Sequence, residues 1–81
     1  MHDAVAAFIR SRFRSSLPGG VLQHDDALFS TGVIDSFGVL ELIAFLEDTF
    51  RVTIDTSRHD LGEFDSVDRI VDLVRGARDG R

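Results

Sequence analysis

The fold of this 81-residue chain is decided by the stretch Ile34-Asp35-Ser36-Phe37-Gly38-Val39-Leu40-Glu41-Leu42-Ile43-Ala44-Phe45-Leu46-Glu47-Asp48-Thr49-Phe50. After Asp35 it contains no proline and one glycine, and its apolar residues recur at the three- and four-residue steps of one helical face. Asp35 is a preferred N-cap, because its carboxylate can accept hydrogen bonds from the free amides of a first turn. The pattern predicts a helix over residues 36–50, with Ser36 in the first turn and pointing to solvent.

The rest of the chain predicts two further main helices and one short one. Apolar spacing indicates a first helix over residues 3–16, which Pro18 and the glycines after it interrupt. Residues 59–64 fit one short helical turn, and Asp65-Ser66 supplies cap residues for a last helix over residues 66–76. Residues 52–54 alternate like a strand, but no other segment offers a partner, so we expect an extended linker.

The long connection over residues 17–35 is too apolar to be a free linker. We therefore expect it to lie over the core, through Val21, Leu22, Leu28, Phe29, Val33 and Ile34. The predicted fold is all-α: one small four-helix bundle over residues 1–81, with three main helices, one short helix and a long loop between helices one and two. The predicted core consists of Val5, Phe8, Ile9, Phe13, Val39, Leu42, Ile43, Leu46, Phe50, Val67, Ile70, Val71 and Val74.

Charge and composition exclude several classes of function. The net charge is −5, and residues 25–72 hold twelve of the 14 acidic residues but only three of the nine basic ones. This acidic middle argues against nucleic acid and favours basic protein partners. There is no cysteine, so thiol chemistry would have to come from a prosthetic group. No stretch is long and apolar enough for membrane insertion, and the start lacks a basic signal segment, so we expect a cytoplasmic protein.

A wider pattern surrounds the cap. Leu28-Phe29, Gly32, Asp35-Ser36 and the acidic residues of the following helix resemble, in order, the phosphopantetheine-attachment motif of the acyl and peptidyl carrier protein family. The segment Glu63-Phe64-Asp65-Ser66-Val67 is similar to the family's approach to its final helix. The resemblance covers about two-thirds of the chain.

Three positions depart from the family pattern. Phe37 replaces a leucine and keeps its bulk and apolarity. Arg51 stands where family members often have glycine, which predicts a less sharply turned helix end. Phe45 is bulky on a side where smaller residues are common, and we expect it to narrow any channel for a sequestered acyl chain.

The resemblance implies a function that depends on one covalent event. A phosphopantetheinyl transferase would move a 4'-phosphopantetheine arm from coenzyme A to Ser36, which Asp35 positions, and the arm would carry acyl or aminoacyl groups as thioesters. The implied partners are a loading enzyme, either an adenylating ligase or an acyltransferase, and a downstream synthase or transferase. Fatty acyl, polyketide, D-alanyl and other aminoacyl cargoes all remain open. We expect a monomeric, free-standing carrier, and an excised domain of a larger synthase remains open.

A partner-docking face is expected on helix two beyond Ser36. Its residues recur at three- and four-residue steps and combine apolar side chains with acids, which suits transient docking to a basic partner. These residues are Phe37, Leu40, Glu41, Ala44, Glu47 and Asp48.

The alternative is a non-enzymatic helical interaction module in which Ser36 is only a helix cap. The same residue pair occurs a second time, because Asp65-Ser66 also precedes an apolar helix. We interpret this second pair as a helix cap and nothing more.

We predict no catalytic residues and no metal site. A serine hydrolase would need a Gly-x-Ser-x-Gly elbow after a strand, and Ile34 occupies its first glycine position. His2, His24 and His59 are scattered along the chain, and no segment has the usual spacing of metal ligands.

Overall fold

The computed structural model of the chain describes residues 1–79, apart from the side chain of Pro18. The last two residues of the predicted domain lie outside this part. The model contains three helices, α1 (His2–Arg12), α2 (Ser36–Phe50) and α3 (Val67–Arg78), and no strand in the described part. The all-α fold class is confirmed. None of these helices has the length and apolar character needed to cross a membrane.

The first helix is shorter than its predicted range of 3–16. It ends at Arg12, and Phe13 leaves the helical conformation with φ −117° and ψ 25°. The chain then tightens into a 3₁₀ turn at Arg14–Ser16, followed by another at Pro18–Gly20. Leu17 precedes a proline and is extended, with φ −88° and ψ 124°. Helix α1 therefore cannot continue into the loop.

Helix α2 has the bounds that its apolar stripe predicts, but its end differs from expectation. Arg51 adopts the left-handed conformation, with φ 55° and ψ 46°, and turns the chain sharply out of the helix. The expectation of a less sharply turned end was wrong, because an arginine backbone here adopts the conformation that glycine adopts most readily. For a residue with a Cβ, this conformation costs roughly 1–2 kcal/mol.

The connection from α2 to α3 is extended and then 3₁₀ helical. Val52 and Ile54 are buried, which places the predicted linker against the core. The short helix predicted over residues 59–64 is a 3₁₀ segment at Leu61–Phe64, and a second 3₁₀ segment precedes it at Thr56–Arg58.

Helix α3, predicted over residues 66–76, begins after the N-cap Ser66 and continues through Gly76 to Arg78. Ala77 and Arg78 are good helix formers, and they keep Gly76 inside the helix.

The core lies where α1, α2 and α3 face one another beneath the loop. The predicted core residues are buried except for Phe8, Phe13 and Phe50, which are half-buried. These three rings join Phe45 in a phenylalanine cluster between α1 and α2. The rings of Phe8 and Phe45 stack with centroids 4.2 Å apart, and the other neighbouring rings meet edge to face. The cluster keeps some ring surface in contact with water.

Most of the loop over residues 17–35 covers the core as predicted. Leu22, Leu28, Val33 and Ile34 are buried, and Phe29 is half-buried. Val21 is 58% exposed, so the prediction was wrong for this residue. Leu17 and Leu22 occupy the buried positions on either side of it.

Candidate functional site

Ser36 is exposed at the first position of α2. Asp35 precedes it in an extended conformation. Its Oδ1 accepts the Gly38 amide at 2.8 Å, and its carbonyl accepts the Val39 amide at 3.0 Å. These bonds fix the start of the helix, whereas the amides of Ser36 and Phe37 precede the first intrahelical hydrogen bond. Two such N–H groups at the positive end of the helix dipole favour an anionic group next to the Ser36 hydroxyl.

In the second Asp-Ser pair, Asp65-Ser66, the serine and not the aspartate caps the helix. Ser66 is 7% exposed, and its hydroxyl accepts the Arg69 amide at 3.2 Å. In this pair the serine caps the helix, whereas in Asp35-Ser36 the aspartate caps it and the serine lies one position further along. Between these two serines, only Ser36 offers an accessible hydroxyl.

Asp65 anchors the long loop, so the interpretation of Asp65-Ser66 as a cap and nothing more was wrong for Asp65. Its Oδ1 accepts the Phe29 amide at 2.7 Å and the Leu28 amide at 3.1 Å. The backbone hydrogen bond from Phe29 is the main cause that holds the pKa of Asp65 below its ordinary value. Leu28 in turn accepts the Ile34 amide at 3.1 Å. The anchor thus reaches the residue that precedes Asp35.

Gly38 allows the first turn of α2 to approach the end of α1. A Cβ at Gly38 would lie 2.8 Å from Phe13 Cε1 and 3.0 Å from Ile34 Cγ2, so the Phe13 ring would have to shift and Ile34 would have to give by a few tenths of an ångström. Gly38 is buried, two residues after the exposed Ser36. The Ser-Phe-Gly sequence is therefore explained by packing, without a nucleophile elbow.

Five of the six residues predicted for the docking face are exposed on α2, Glu41 among them. Phe37 is 79% exposed and Leu40 is 62% exposed, and Ala44 and Asp48 are also exposed. Phe37 and Leu40 are three residues apart on one helix, so their exposed side chains lie next to each other and form a small apolar patch of a kind that partner proteins contact. Both residues lie on the helix that begins at Ser36.

Two residues of the predicted face, Glu41 and Glu47, accept hydrogen bonds from within the chain. Both carboxylate oxygens of Glu41 accept hydrogen bonds from the Arg12 guanidinium, one of them at 2.7 Å. This pairing lowers the pKa of Glu41 and raises that of Arg12. Glu47 is half-buried, and its Oε2 accepts the Ile54 amide at 2.9 Å. A basic partner would therefore compete with Arg12 for Glu41.

The three histidines contact residues that are distant from Ser36 in the sequence. His2 Nε2 lies 3.0 Å from Asp68 Oδ1, and His59 Nδ1 lies 3.1 Å from Glu63. The His24 ring lies 5.0 Å from the His2 ring. Within residues 1–79, no hydrogen bond joins a histidine to Ser36.

The arrangement of His2, His24 and Asp68 is a feature that sequence reasoning missed. Their positions lie 22 and 44 residues apart, so no local spacing could indicate that they meet.

Comparison with known proteins identifies carrier proteins as similar sequences. A D-alanyl carrier protein of Streptococcus pyogenes serotype M5 is 40% identical over 50 residues, which cover 62% of this chain and 63% of that protein. A D-alanyl carrier protein of Streptococcus uberis is 37% identical over 51 residues, covering 63% of this chain and 65% of its own length. The matches thus span slightly less than two-thirds of these relatives. No family model and no solved structure matches the chain.

Proposed function

We propose that this chain is a member of the acyl and peptidyl carrier protein family and holds acyl or aminoacyl intermediates on a 4'-phosphopantetheine arm attached to Ser36. The observation that carries the proposal is the exposed Ser36 hydroxyl beside two amides at the start of α2. The arm supplies a thiol for thioester formation, which a chain without cysteine lacks. The chain itself catalyses no reaction.

The residues around Ser36 fit the phosphodiester of such an arm. The first turn of α2 provides N–H donors and a positive dipole end, which together favour an exposed anion by roughly 0.3–1 kcal/mol. The Asp35 carboxylate accepts a hydrogen bond from the Gly38 amide, and this bond fixes where the helix begins. Ser36 holds the arm, and Asp35 positions its attachment point.

The partners in this proposal are a phosphopantetheinyl transferase, a loading enzyme and a downstream synthase or transferase. Phe37 and Leu40 supply apolar contact area, and Asp48 supplies charge for encounter with a basic surface. Glu41 joins this contact when a partner cation replaces Arg12. Because the arm comes from coenzyme A, a cytoplasmic location is part of the proposal.

We place the cargo among small aminoacyl groups. The similar proteins are named for a D-alanyl cargo. Packing supports a short cargo too, because the stacked rings of Phe8 and Phe45 fill the space between α1 and α2. A long acyl chain would have to displace these rings to enter the bundle there. The cargo therefore does not enter the bundle between α1 and α2.

The function is tested by incubation of the unmodified chain with coenzyme A and a broad-specificity phosphopantetheinyl transferase. We expect the intact mass to rise by one phosphopantetheine group. The positive control is an established carrier protein in the same reaction. No mass gain on this chain while the control is modified would contradict the proposal and favour the interaction module, in which Ser36 is a cap only.

The cargo is tested by attaching D-alanyl or octanoyl groups to the arm and recording backbone amide spectra by NMR. We expect neither cargo to shift the amides of Leu42 and Leu46 in the core of α2. An octanoyl group that shifts these core amides, while D-alanyl leaves them unchanged, would show that the bundle encloses acyl chains. That result would overturn the cargo proposal and leave the arm on Ser36 intact.

A further inference from the structure

Three side chains with metal-binding atoms converge where the start of α1, the long loop and the start of α3 meet. The ligand atoms of His2, His24 and Asp68 all lie within 4.8 Å of one another. His2 Nε2 is already 3.0 Å from Asp68 Oδ1, and the rings of His2 and His24 are 5.0 Å apart between centroids. His2 is half-buried, and the other two are exposed.

The backbone holds these residues together. The Asp68 amide donates to the His24 carbonyl at 3.0 Å, which fixes this part of the loop beside the first turn of α3. His2 is the first residue of α1, and α1 packs against α3. Val5 and Val67 are fully buried beneath this end of the two helices. The three ligands are therefore brought together by the tertiary fold, and their approach does not depend on one flexible segment.

The chemistry of the three groups selects the class of ion. Two imidazoles and one carboxylate are ligands that Zn²⁺ accepts in protein sites, whereas Mg²⁺ prefers oxygen ligands. Ligand atoms around a tetrahedral zinc ion lie roughly 3.3 Å apart, given metal–ligand distances of about 2.0 Å. The pair His2–Asp68 already has nearly this separation. His24 is exposed, and its ligand nitrogen needs to move by about 1.5 Å or less to reach the tetrahedral separation from the other two ligand atoms.

We propose that His2, His24 and Asp68 form a three-ligand Zn²⁺ site that ties α1 and the long loop to α3. A water molecule would complete the tetrahedron, since the site is open to solvent. Zinc binding requires the folded arrangement, so the ion stabilises the native chain through linkage. The site is separate from the chemistry of Ser36, and it holds whether or not the carrier function is correct.

The test is isothermal titration of Zn²⁺ into the full chain near pH 7.5, with intact mass showing that no phosphopantetheine thiol is present. We expect one zinc ion per chain and a rise in melting temperature of roughly 10–20 °C when free zinc is about 100 times Kd. His24→Gln and Asp68→Asn should each weaken binding roughly ten-fold or more, because each removes a direct ligand. Mg²⁺ at the same concentrations should give no saturable binding.

The matched control is His59→Gln, which removes the remaining histidine of the chain from a place outside the cluster. It should bind zinc as tightly as the unchanged chain. Wild-type binding by His24→Gln, loss of binding by His59→Gln, or the absence of saturable binding would overturn the proposal. Circular dichroism of each variant separates loss of a ligand from loss of fold, and NMR shifts at His2 and His24 on zinc addition identify the site directly.

Discussion

The carboxylate of Asp65 accepts the backbone amide of Phe29 at 2.7 Å, although 36 residues separate them in the chain. This bond joins the approach to α3 to the loop that precedes Ser36. Leu28 makes a parallel bond to Asp65 and continues the connection to Ile34 through its carbonyl. The start of α2 is thus held from two sides, by the Asp35 cap and by the Asp65 anchor.

Asp65→Asn tests the anchor. We expect the free energy of unfolding to fall by about 1–3 kcal/mol, because a charged acceptor of three backbone amides is replaced by a neutral one. The measurement is urea denaturation at pH 7. Asp25→Asn removes the same charge from an exposed loop position and should change stability by less than about 0.5 kcal/mol. Equal stability of the two variants would contradict the anchoring role.

The same variant predicts a pH dependence. The folded-state pKa of Asp65 lies below its unfolded value, so its stabilisation is fully present above the unfolded pKa, about 4, and is lost as pH falls through the folded pKa. The stability difference between wild type and Asp65→Asn should stay constant between about pH 7 and 5 and shrink in acid. A difference that instead grows in acid would contradict this assignment.

Two glycines inside helices should respond oppositely to alanine. Gly38→Ala should destabilise the chain by about 1–3 kcal/mol, because the new Cβ collides with Phe13 and Ile34. Gly76→Ala should stabilise it by about 0.5–1 kcal/mol, since a Cβ at Gly76 meets nothing within 4 Å and alanine is the better helix former. Thermal denaturation of both variants measures the contrast. Stabilisation by Gly38→Ala would show that α1 and α2 are less close than described.

Arg51→Gly should raise stability by about 0.5–1 kcal/mol, because glycine adopts the left-handed conformation at the end of α2 without a steric cost. Arg58→Gly is the control, since it removes the same charge at an exposed position whose backbone is not left-handed. It should lower stability or leave it unchanged. A loss of stability in Arg51→Gly, measured by urea denaturation, would mean that the arginine side chain contributes more than its backbone costs.

Arg12→Gln frees the Glu41 carboxylate on the docking face. Because Arg12 neutralises an acid that a basic partner would contact, we expect kcat/KM for the phosphopantetheinyl transferase to rise a few-fold at low salt. The gain should disappear at high salt, where surface charges are screened. Arg10→Gln removes the same charge from α1 and should have a smaller effect. Equal effects of the two variants would indicate that only net charge matters.

Local patterns predicted the elements that carry the site. The apolar stripe of α2 and the Asp35 cap are signals within a few residues of one another, and helix 36–50 follows from them directly. The expected exposure of Ser36 follows from the same pattern, because Ser36 is the first residue of α2 and lies on the side of the helix away from its apolar residues. Family resemblance added the proposed attachment function, because the helix pattern alone does not distinguish a carrier serine from a helix cap.

The features that sequence reasoning missed depend on tertiary contacts or on backbone conformation. Asp65 stands in a sequence that is typical of a helix cap. Its role as an anchor depends on the hydrogen bond from the Phe29 amide, which is distant in the chain. Arg51 adopts the left-handed backbone conformation, which residues other than glycine disfavour. The residue type therefore predicted a less sharply turned end of α2. The half-burial of Phe8 reflects stacking on Phe45 from another helix. Helical periodicity identifies an apolar face, but it does not fix how deeply each ring lies.

The most direct test of the central claim compares two serines that share the same preceding residue. Wild type, Ser36→Ala and Ser66→Ala are incubated with coenzyme A and a phosphopantetheinyl transferase, and their intact masses are measured. Ser66→Ala loses a cap worth about 1 kcal/mol, so circular dichroism is recorded to establish that it is folded. The account predicts one added phosphopantetheine on wild type and Ser66→Ala and none on Ser36→Ala. Modification that persists in Ser36→Ala would contradict it.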